Sequence, residues 1–493
     1  MQNLQKLAET AGISSSYVDK TGKTHYTTDE VRRYFLENMG YKAQTQDEIN
    51  SAIELLTEKK LLPPVMSFYE NEKVEFFING CGDYSAELTT DEGMSVWRKM
   101  VEGGQKIQID NLDIGYYKLK VKNSEEQAES LIIYAPEKCW QPEFIQKKEH
   151  IFGTAVMLYA LRSENNMGIG DFGDLAEIVK ITAQNGGDVV GINPLGVMSP
   201  FTQNEERFAS GKQSDVSPYR TLSRLFVNYI YLDLPAEDDF KNSPLVRAFM
   251  QLPETQTEIK NLRESNQVQY AKVLLLKKQI LEMMFAFFEA DTDEKRKNEF
   301  NEYVADKGEK LENLATFETL LEKLEPVDYW RFWPQVYTDI NSSQLLVFKQ
   351  EQARKIKFYE YCHWLADKQI KKVQQLAIDL GMKIGLYTDM PIGAASNGAE
   401  VWENPEAFVL EAGIGAPADP MRPRGQSWGF TPYHPQHLLE QHYKPFINLV
   451  RENMQYSGAL RIDHAMGLQR LFWGFFTNDN PVVQGAYVYY NIK

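Results

Sequence analysis

The sequence predicts a multidomain chain in which a β/α domain of the TIM-barrel type follows a small helical domain and a β-sandwich. At 493 residues, the chain is too long for a single hydrophobic core. The pattern of its apolar residues also changes twice, near residue 63 and near residue 147. We therefore predict a helical domain at 1–62, a β-sandwich at 63–146 and a β/α domain at 147–493.

The helical domain is predicted from periodicity and from a helix start near residue 45. Thr45 and Glu48 have the spacing of a capping box, and apolar residues follow at helical spacing from Ile49 onward. Pro63 and Pro64 follow the last helical pattern, and proline interrupts regular backbone hydrogen bonding. We place the end of the helical domain there.

The β-sandwich is predicted from short segments that alternate apolar and polar residues between turn residues. Alternation of this kind gives each strand one face for the core and one for solvent. The predicted strands are VEFFIN (74–79), YSAELT (84–89), KIQID (106–110), YYKLKVK (116–122) and SLIIY (130–134).

The β/α domain is predicted from continuous apolar runs, which are typical of buried parallel strands. A long helix at about 355–380 ends before Gly381, and a charged, helix-rich stretch at about 236–345 is predicted to be an insertion. The four predicted strands cover 154–161, 188–193, 384–389 and 459–463.

The composition excludes several classes of function. The 53 basic and 69 acidic residues give a net charge of −16 that is spread along the chain. This argues against nucleic acid or a membrane surface as a partner, whereas a neutral partner such as a sugar or peptide stays possible. The three cysteines match no disulfide or metal framework, and we see no signal peptide and no membrane span. We therefore expect a reduced, cytoplasmic protein.

Two aspartates end predicted strands of the β/α domain. Asp389 ends KIGLYTD and Asp463 ends ALRID, and catalytic side chains of β/α barrels lie where strands end. Arg461 and Asp463 are two residues apart on one strand, so both project to the same face. A carboxylate beside an arginine is held in its ionised form, which suits a nucleophile and not a proton donor. The alternative, from these residues alone, is a structural ion pair.

The segment GIGDFG (168–173) raises two rival interpretations. It satisfies the glycine pattern of dinucleotide-binding oxidoreductases, but it begins seven residues after its strand, and Asp188, the acid nearest the required spacing, opens the next strand. Its DFG also occurs in protein kinases, but no glycine-rich loop, strand lysine or H-R-D precedes it. The context favours neither class.

A long loop region is predicted after the strand that ends at Asp389. It contains Trp402, Asp419, Gln426 and Trp428 within 397–430. Aromatic rings beside amide and carboxylate groups suit a sugar site, because sugar ring faces stack and hydroxyls need many hydrogen bonds. The alternative is that each tryptophan packs the loop onto the barrel. The seven histidines show no metal pattern, and we expect His434 and His437 to be surface or loop residues.

Taken together, these segments resemble the 4-alpha-glucanotransferases of the amylomaltase type, glycoside hydrolase family 77, in the bacterial form with an N-terminal extension. The resemblance covers essentially the whole chain, and its segments occur in the family order. The matching stretches are LRSENNMGIGDFGDL (161–175), INPL (192–195), SPYRTLSRLFVNYIYLD (217–233), IGLYTDMPIGAASNGAEVWENPEAF (384–408), GAPADPMRPRGQSWG (415–429) and ALRIDHAMGLQRLFW (459–473).

The resemblance implies retaining transfer of α-1,4-glucan segments between maltooligosaccharides, with no cofactor and no metal. It implies that Asp463 is the nucleophile, that Arg461 orients it and that His464 hydrogen-bonds the bound sugar. The other substrate-binding residues that it implies are Asp389, Ser217, Tyr219, Asp419, Gln426 and Trp428.

The sequence departs from the family pattern at two places. Gly196 replaces a histidine of many relatives, so the contact of that histidine is not expected. None of the 30 residues after Asp463 matches the family acid/base glutamate or its later His-Asp pair. We therefore expect a C-terminally truncated chain with only the first half of the barrel, inactive and poorly soluble by itself. A non-catalytic α-glucan-binding protein is the alternative.

Overall fold

The N-terminal part of the chain consists of three helices and one short hairpin. The predicted capping box at Thr45 and Glu48 is present, with both of its reciprocal hydrogen bonds. The hairpin is not predicted, because its turn depends on the carboxylate of Asp19, which accepts hydrogen bonds from the amides of Thr21 and Lys23. The elements are α1 (Gln2–Thr10), β1 (Ser16–Val18), β2 (Thr24–Tyr26), α2 (Asp29–Asn38) and α3 (Gln46–Thr57). The computed structural model describes residues 2–198, 216–290, 293–324, 327, 329–477 and 480–490.

The next part of the chain forms a five-stranded and a two-stranded sheet around one hydrophobic core. Each of the five predicted strand segments contains a strand, and two further strands, β3 and β6, complete the larger sheet, whose order is β3-β9-β8-β5-β6. The strands are β3 (Val65–Tyr69), β4 (Val74–Phe77), β5 (Asp83–Thr90), β6 (Ser95–Glu102), β7 (Lys106–Ile109), β8 (Gly115–Lys122) and β9 (Gln127–Ala135).

A four-stranded parallel sheet forms the centre of the following part. Its order is β10-β11-β14-β18, and every pairing in it is parallel. The four predicted apolar runs supply these strands, although the first run forms a strand only as far as Val156 and then a 3₁₀ turn. Within the described residues, β10 and β18 each have one neighbour. The strands are β10 (Gly153–Val156), β11 (Val189–Ile192), β14 (Gly385–Met390) and β18 (Ala459–Ile462), and a separate antiparallel pair is formed by β12 (Gly196–Val197) and β13 (Ser223–Val227).

Helices pack against this parallel sheet and against one another. The predicted helix at 355–380 is present and ends before Gly381, whose φ of +80° is readily adopted only by glycine. The helical pattern predicted at 440–456 corresponds to two helices, because His442 and Tyr443 both have left-handed backbone angles. The helices are α4 (Glu143–Gln146), α5 (Phe172–Gln184), α6 (Asp238–Asn242), α7 (Pro244–Met250), α8 (Pro253–Glu264), α9 (Tyr270–Ala290), α10 (Glu294–Lys323), α11 (Ser343–Glu351), α12 (Ala353–Asp379), α13 (Ala399–Glu403), α14 (Pro435–Glu440) and α15 (Lys444–Met454).

The region predicted as a long loop, 397–430, contains part of a second sheet. This sheet has the order β15-β17-β16-β19-β20, and its pairings are antiparallel. The sequence does not reveal these strands because GIGA and QSWGFT are short, rich in glycine and without alternation. They gain stability by pairing with one another and with segments distant in sequence. The strands are β15 (Ala394–Ala395), β16 (Gly413–Ala416), β17 (Gln426–Thr431), β19 (Arg470–Thr477) and β20 (Asn480–Tyr489).

The second sheet shares a hydrophobic core with the N-terminal helices. Leu7 and Phe35 of those helices belong to the same buried cluster as Ile414, Trp473 and Val488 of the sheet. The N-terminal segment also pairs directly with β20, because the amide of Ser14 donates to the carbonyl of Tyr487. The N-terminal helices therefore support the sheet that carries part of the predicted loop. None of the helices described is long and apolar enough to cross a lipid bilayer.

Candidate active site

The candidate site lies at the carboxyl ends of β14 and β18. These strands are parallel neighbours, and their register places Asp389 directly opposite Arg461. Asp463 follows the last residue of β18, and its amide donates to the carbonyl of Met390, the last residue of β14. Asp389 and Arg461, which are 72 positions apart in sequence, thus lie side by side, because parallel pairing aligns the ends of both strands.

Arg461 bridges the two aspartates. Its Nη1 donates to both carboxylate oxygens of Asp389, at 2.7 and 2.6 Å, and its Nη2 donates to Oδ1 of Asp463 at 2.8 Å. The hydrogen bond to Asp389 raises the pKa of the Arg461 guanidinium above its ordinary value. Arginine carries several donors in a rigid plane, so one side chain can fix both carboxylates in relative position.

The two carboxylates differ in exposure and in the use of their oxygens. The Asp389 side chain is 8% exposed, and its Oδ2 also accepts a hydrogen bond from the Tyr219 hydroxyl at 2.8 Å. The Asp463 side chain is 29% exposed, and its Oδ2 accepts no hydrogen bond from any residue that the structure describes. Asp463 therefore keeps an oxygen available for another molecule.

Tyr219 joins the site from the SPY segment. Burial and the hydrogen bond to Asp389 raise the pKa of its hydroxyl to about 12, so Tyr219 stays protonated and donates to Asp389 at neutral pH. The predicted Ser217 acts within the same turn, because its hydroxyl oxygen accepts the amide hydrogen of Tyr219 at 3.3 Å. Tyr219 thus contacts Asp389 directly, and Ser217 contacts the backbone of Tyr219.

His464 and Trp428 lie next to Asp463. The backbone of His464 is left-handed, with a φ of 49°, and its ring meets the edge of the Trp428 ring at a centroid distance of 5.3 Å. The indole Nε1 of Trp428 donates to Oε1 of Gln426 at 3.3 Å. A mostly apolar cavity of about 90 Å³, lined in part by Asp463, His464 and Ile392, adjoins these groups.

Asp419, the remaining predicted residue, contacts the N-terminal hairpin. Its carboxylate accepts a hydrogen bond from Lys20 Nζ at 2.9 Å and others from the amides of Met421 and Arg422. The hydrogen bond from Lys20 lowers the pKa of Asp419. Within the described residues, Asp419 has no hydrogen bond to the aspartate cluster, so it acts on the shape of its own loop.

The structure decides between the two interpretations of Trp402 and shows where His434 lies. Trp402 follows the packing alternative: it is fully buried, packs on Phe317 and Trp333 and donates its indole hydrogen to the Tyr337 carbonyl. His434 is a loop residue before α14, as expected, but it is buried, with 3% of its surface exposed, and it is within hydrogen-bond distance of the Met39 carbonyl. In both cases, segments distant in sequence cover a residue that the local pattern assigns to a loop.

A buried cluster beside the site is not predicted from the sequence. Arg224 on β13 donates to both oxygens of Glu400, to the Tyr433 hydroxyl and to the carbonyl of Pro391, which follows β14. Burial alone would lower the pKa of Arg224, but the charge of Glu400 raises it above the ordinary value. One sequence feature indicates such a cluster: Arg224 lies inside the apolar segment SRLFV. A buried arginine needs an acidic partner.

The glycine pattern at 168–173 has a structural explanation. Asp171 caps α5 through hydrogen bonds to its own first turn, and Gly168 has a φ of +90° with Leu262 packed closely against it. A 3₁₀ turn separates this segment from β10. These glycines allow close packing of the turn and do not form a phosphate loop directly after a strand.

The arrangement defines a class of enzyme. An arginine joins two carboxylates at the carboxyl ends of parallel strands, one carboxylate has an unused oxygen, and a tryptophan and an amide side chain lie beside it. These are the features of an enzyme that acts on a carbohydrate at the strand ends of a β/α fold.

Comparison with known proteins identifies the family within that class. The family described as 4-alpha-glucanotransferase, Glyco_hydro_77, matches residues 156–493, and the chain belongs to it. The 4-alpha-glucanotransferase of Haemophilus influenzae is 32% identical, over 99% of this chain and 68% of that protein. That of Mycobacterium tuberculosis is 26% identical over the same shares.

A solved structure agrees with this assignment over the whole chain. Amylomaltase from Corynebacterium glutamicum superposes with a TM-score of 0.83 at 25% identity, covering 100% of this chain and 69% of that one. The expectation of a 4-alpha-glucanotransferase, a glycosyltransferase that acts on α-glucans, is confirmed. The comparisons do not favour the alternative of a non-catalytic binding protein.

Proposed function

We propose that Asp463 is the nucleophile of a retaining transfer of α-1,4-glucan segments from one maltooligosaccharide to another. The observation that carries this assignment is the difference between the two carboxylates held by Arg461. Asp389 uses both oxygens within the protein, whereas Asp463 keeps Oδ2 free beside a cavity. The oxygen without a described partner supports Asp463, and not Asp389, as the group that bonds to the sugar.

The proposed reaction has two displacements. Oδ2 of Asp463 attacks the anomeric carbon, the glycosidic bond breaks, and the leaving sugar takes a proton at its 4-oxygen. A hydroxyl of a second sugar then attacks the anomeric carbon of the glycosyl-enzyme, the bond to Asp463 breaks, and the hydroxyl proton returns to the group that protonated the leaving sugar. Both oxygens of Asp389 already accept hydrogen bonds within the protein, from Arg461 and Tyr219. Proton transfer is therefore assigned to a group other than these two aspartates.

The remaining predicted residues are proposed to hold the sugar. His464 and Trp428 form one side of the position where the sugar meets Asp463, and Gln426 holds the Trp428 indole in place. The loop around Asp419 is proposed to cover the sugar and to exclude water, so that a sugar hydroxyl and not water completes the reaction.

The parallel sheet is proposed to form the first half of a TIM-type β/α barrel. Four adjacent parallel strands, the helices packed on them and two strand-end aspartates support this proposal. The proposed domains are a helical domain at 1–62, a β-sandwich at 63–146 and the catalytic domain at 147–493 with an insertion at about 236–345. The shared core shows close packing between the first domain and the last.

Asp463→Asn tests the assignment in the protein at its natural full length. Incubation with maltotriose should give glucose and longer maltooligosaccharides, and the variant should lower this rate by about 10³-fold or more, because an amide cannot form the glycosyl-enzyme. Asp379→Asn, at an exposed position at the end of α12, is the control and should keep the rate within about twofold. A ladder of products from Asp463→Asn at a tenth of the parent rate would disprove the assignment.

A further inference from the structure

A second cavity, of about 540 Å³, lies between α10, α13 and the segment that contains α14 and α15. The buried Arg224–Glu400 pair stands between this cavity and the smaller one beside Asp463. Arg224 lines only the cavity at Asp463, Glu400 lines only the second cavity, and Tyr433 lines both. The second cavity is therefore separate from the cavity beside Asp463, and the Arg224–Glu400 pair lies between them.

The walls of this second cavity carry polar groups with unused hydrogen-bonding capacity. Lys310, on α10 just after the kink at Gly308, is half-buried and has no hydrogen bond or ion pair within the described residues. Glu403 on α13 accepts one hydrogen bond, from Nδ2 of Asn313 at 3.1 Å, and its second oxygen has no described partner. A donor and an acceptor thus face a space that no protein group fills.

Burial alters the protonation of both groups. It lowers the pKa of Lys310 and raises the pKa of Glu403 to about 7. At neutral pH, Glu403 is therefore present in both forms, so it is able either to accept or to donate a hydrogen bond. Hydroxyl groups, which both donate and accept, are suited to such a partner.

Other groups of the wall are already held by contacts with one another. The amides of Asn404 and Gln441 hydrogen-bond each other reciprocally, at 2.8 and 3.2 Å. The rings of Phe408 and Tyr433 are stacked at a centroid distance of 4.8 Å, and the Tyr433 hydroxyl is held by Arg224. A preformed surface lowers the entropic cost of binding a small ligand.

The chemistry of the second cavity favours a neutral, hydroxylated ligand. Four glutamates and two lysines line it, namely Glu309, Glu400, Glu403, Glu440, Lys310 and Lys444. Glu400 is paired with Arg224 and Glu440 with Lys60, so neither is available to neutralise a bound cation. An anion would still meet Glu309 and Glu403, and a cation would meet Lys310 and Lys444. A sugar carries no charge, and its hydroxyls and apolar ring face match the mixture of amide, charged and aromatic groups. The volume lies within the range of about 300–1,000 Å³ that is usual for small-molecule sites.

We propose that this cavity is a second carbohydrate site, which binds the terminal glucose unit of an α-glucan without acting on it. The glucan specificity rests on the family's activity, whereas the binding of a neutral sugar rests on the cavity itself. Lys310 and Glu403 supply the polar contacts, and the separation by Arg224 and Glu400 keeps this site distinct from the groove at Asp463.

The test counts maltose molecules bound per chain by equilibrium dialysis, with the full-length protein carrying Asp463→Asn so that maltose is not consumed. Adding Lys310→Met and Glu403→Met together should lower the count by about one per chain, because both changes replace a polar end group by an apolar one of similar size. Lys295→Met, on the exposed surface of the same helix, is the control and should leave the count unchanged. Lys310→Met alone provides a milder variant if the double variant loses its thermal transition.

Three outcomes decide the proposal. A count lowered by one, together with maltotriose transfer kept within about twofold when Asp463 is intact, supports a separate site. An unchanged count overturns it. A lowered count accompanied by a tenfold loss of transfer also overturns it, because the cavity would then belong to the groove. If Asp463→Asn itself retains transfer, the proposed nucleophile is wrong, but the difference in maltose count still tests the second site.

Discussion

Two arginine–carboxylate clusters lie close together in this protein and differ in what they leave available. In the first, Arg461 joins Asp389 and Asp463, and its side chain is 43% exposed. In the second, Arg224 joins Glu400 and Tyr433, and the side chains of Arg224 and Glu400 are 1% and 8% exposed. Both clusters contain charge-assisted hydrogen bonds of similar length.

The difference shows how a functional ion pair can be told from a structural one. The guanidinium of Arg224 donates hydrogen bonds to protein groups, including the carbonyl of Pro391. Glu400 accepts hydrogen bonds from both the side chain and the backbone amide of Arg224. The first cluster leaves an oxygen of Asp463 without a described partner. A cluster with all its groups satisfied stabilises the fold, whereas one with an open group beside a cavity is able to bind substrate.

The largest expected effect is on stability, from Arg224→Met. Removing the guanidinium leaves the Glu400 carboxylate buried without a counter-charge, which typically costs about 3–5 kcal/mol. Urea unfolding should show this loss. Arg354→Met, at an exposed arginine paired with Glu289, is the control and should cost less than about 1 kcal/mol. Equal losses in the two variants would contradict a structural role for the buried cluster.

The opposite behaviour is expected at Arg461→Lys. Lysine keeps the charge but cannot hold Asp389 with two hydrogen bonds and reach Asp463 as well, so the nucleophile loses its orientation. We expect kcat on maltotriose to fall about 100-fold, with the free energy of unfolding changed by less than about 1 kcal/mol. Arg451→Lys, at an exposed pair with Asp91, should change neither quantity. A large loss of stability with normal kcat would place Arg461 with the structural cluster.

The sequence predicts the first cluster in part and the second not at all. Apolar runs that end in aspartate identify β14 and β18, and the spacing of Arg461 and Asp463 places them on one face. The contact of Arg461 with Asp389 depends on which strands are neighbours, and local periodicity carries no such information. Arg224 meets Glu400 across 176 residues, through a short strand and a five-residue helix.

Burial by distant segments explains the remaining differences. Trp402 and His434 lie in segments rich in polar and turn residues, and helices from other parts of the chain cover them. The second sheet has the same origin, because β17 pairs with β16, and β16 pairs in turn with β19, which begins more than 50 residues after β16 ends. The local pattern of apolar residues predicts a helix or strand well only when that element is stabilised by its own sequence and not by distant segments.

The buried His434 makes the stability of the fold depend on pH. Burial lowers the pKa of His434 to about 4, and its Nδ1 accepts the amide hydrogen of His437. Since the folded pKa lies below the unfolded value of about 6.5, the unfolded chain binds the proton first, and stability is lost as the pH falls from about 6.5 toward 4. The loss from this group between pH 7 and pH 5 should be about 2 kcal/mol.

Urea unfolding of His434→Gln at pH 7 and pH 5 measures this loss. The variant should have lower stability at pH 7 but a smaller decrease on acidification, because it no longer binds the extra proton in the unfolded state. His150→Gln, at an exposed position, should show the same decrease as the parent. An unchanged pH dependence in His434→Gln would mean that other groups dominate acid unfolding and that the buried histidine has no such effect.

The smallest expected effect concerns the ion pair of Lys20 and Asp419, in which one partner is exposed and the other is mostly buried. Lys20 is 76% exposed, its partner Asp419 is 12% exposed, and the pair ties the N-terminal hairpin to the loop beside Trp428. Exposed pairs of this kind contribute about 0.2–1 kcal/mol, so Lys20→Met should raise KM for maltotriose about two- to threefold and leave kcat unchanged. Lys23→Met, on the same hairpin, should change neither constant.

Because the Lys20–Asp419 pair touches neither Asp389 nor Asp463, a fall in kcat would mean that the loop orients the nucleophile as well as covering the sugar. An unchanged KM would mean that the N-terminal unit stabilises the fold without acting on the groove.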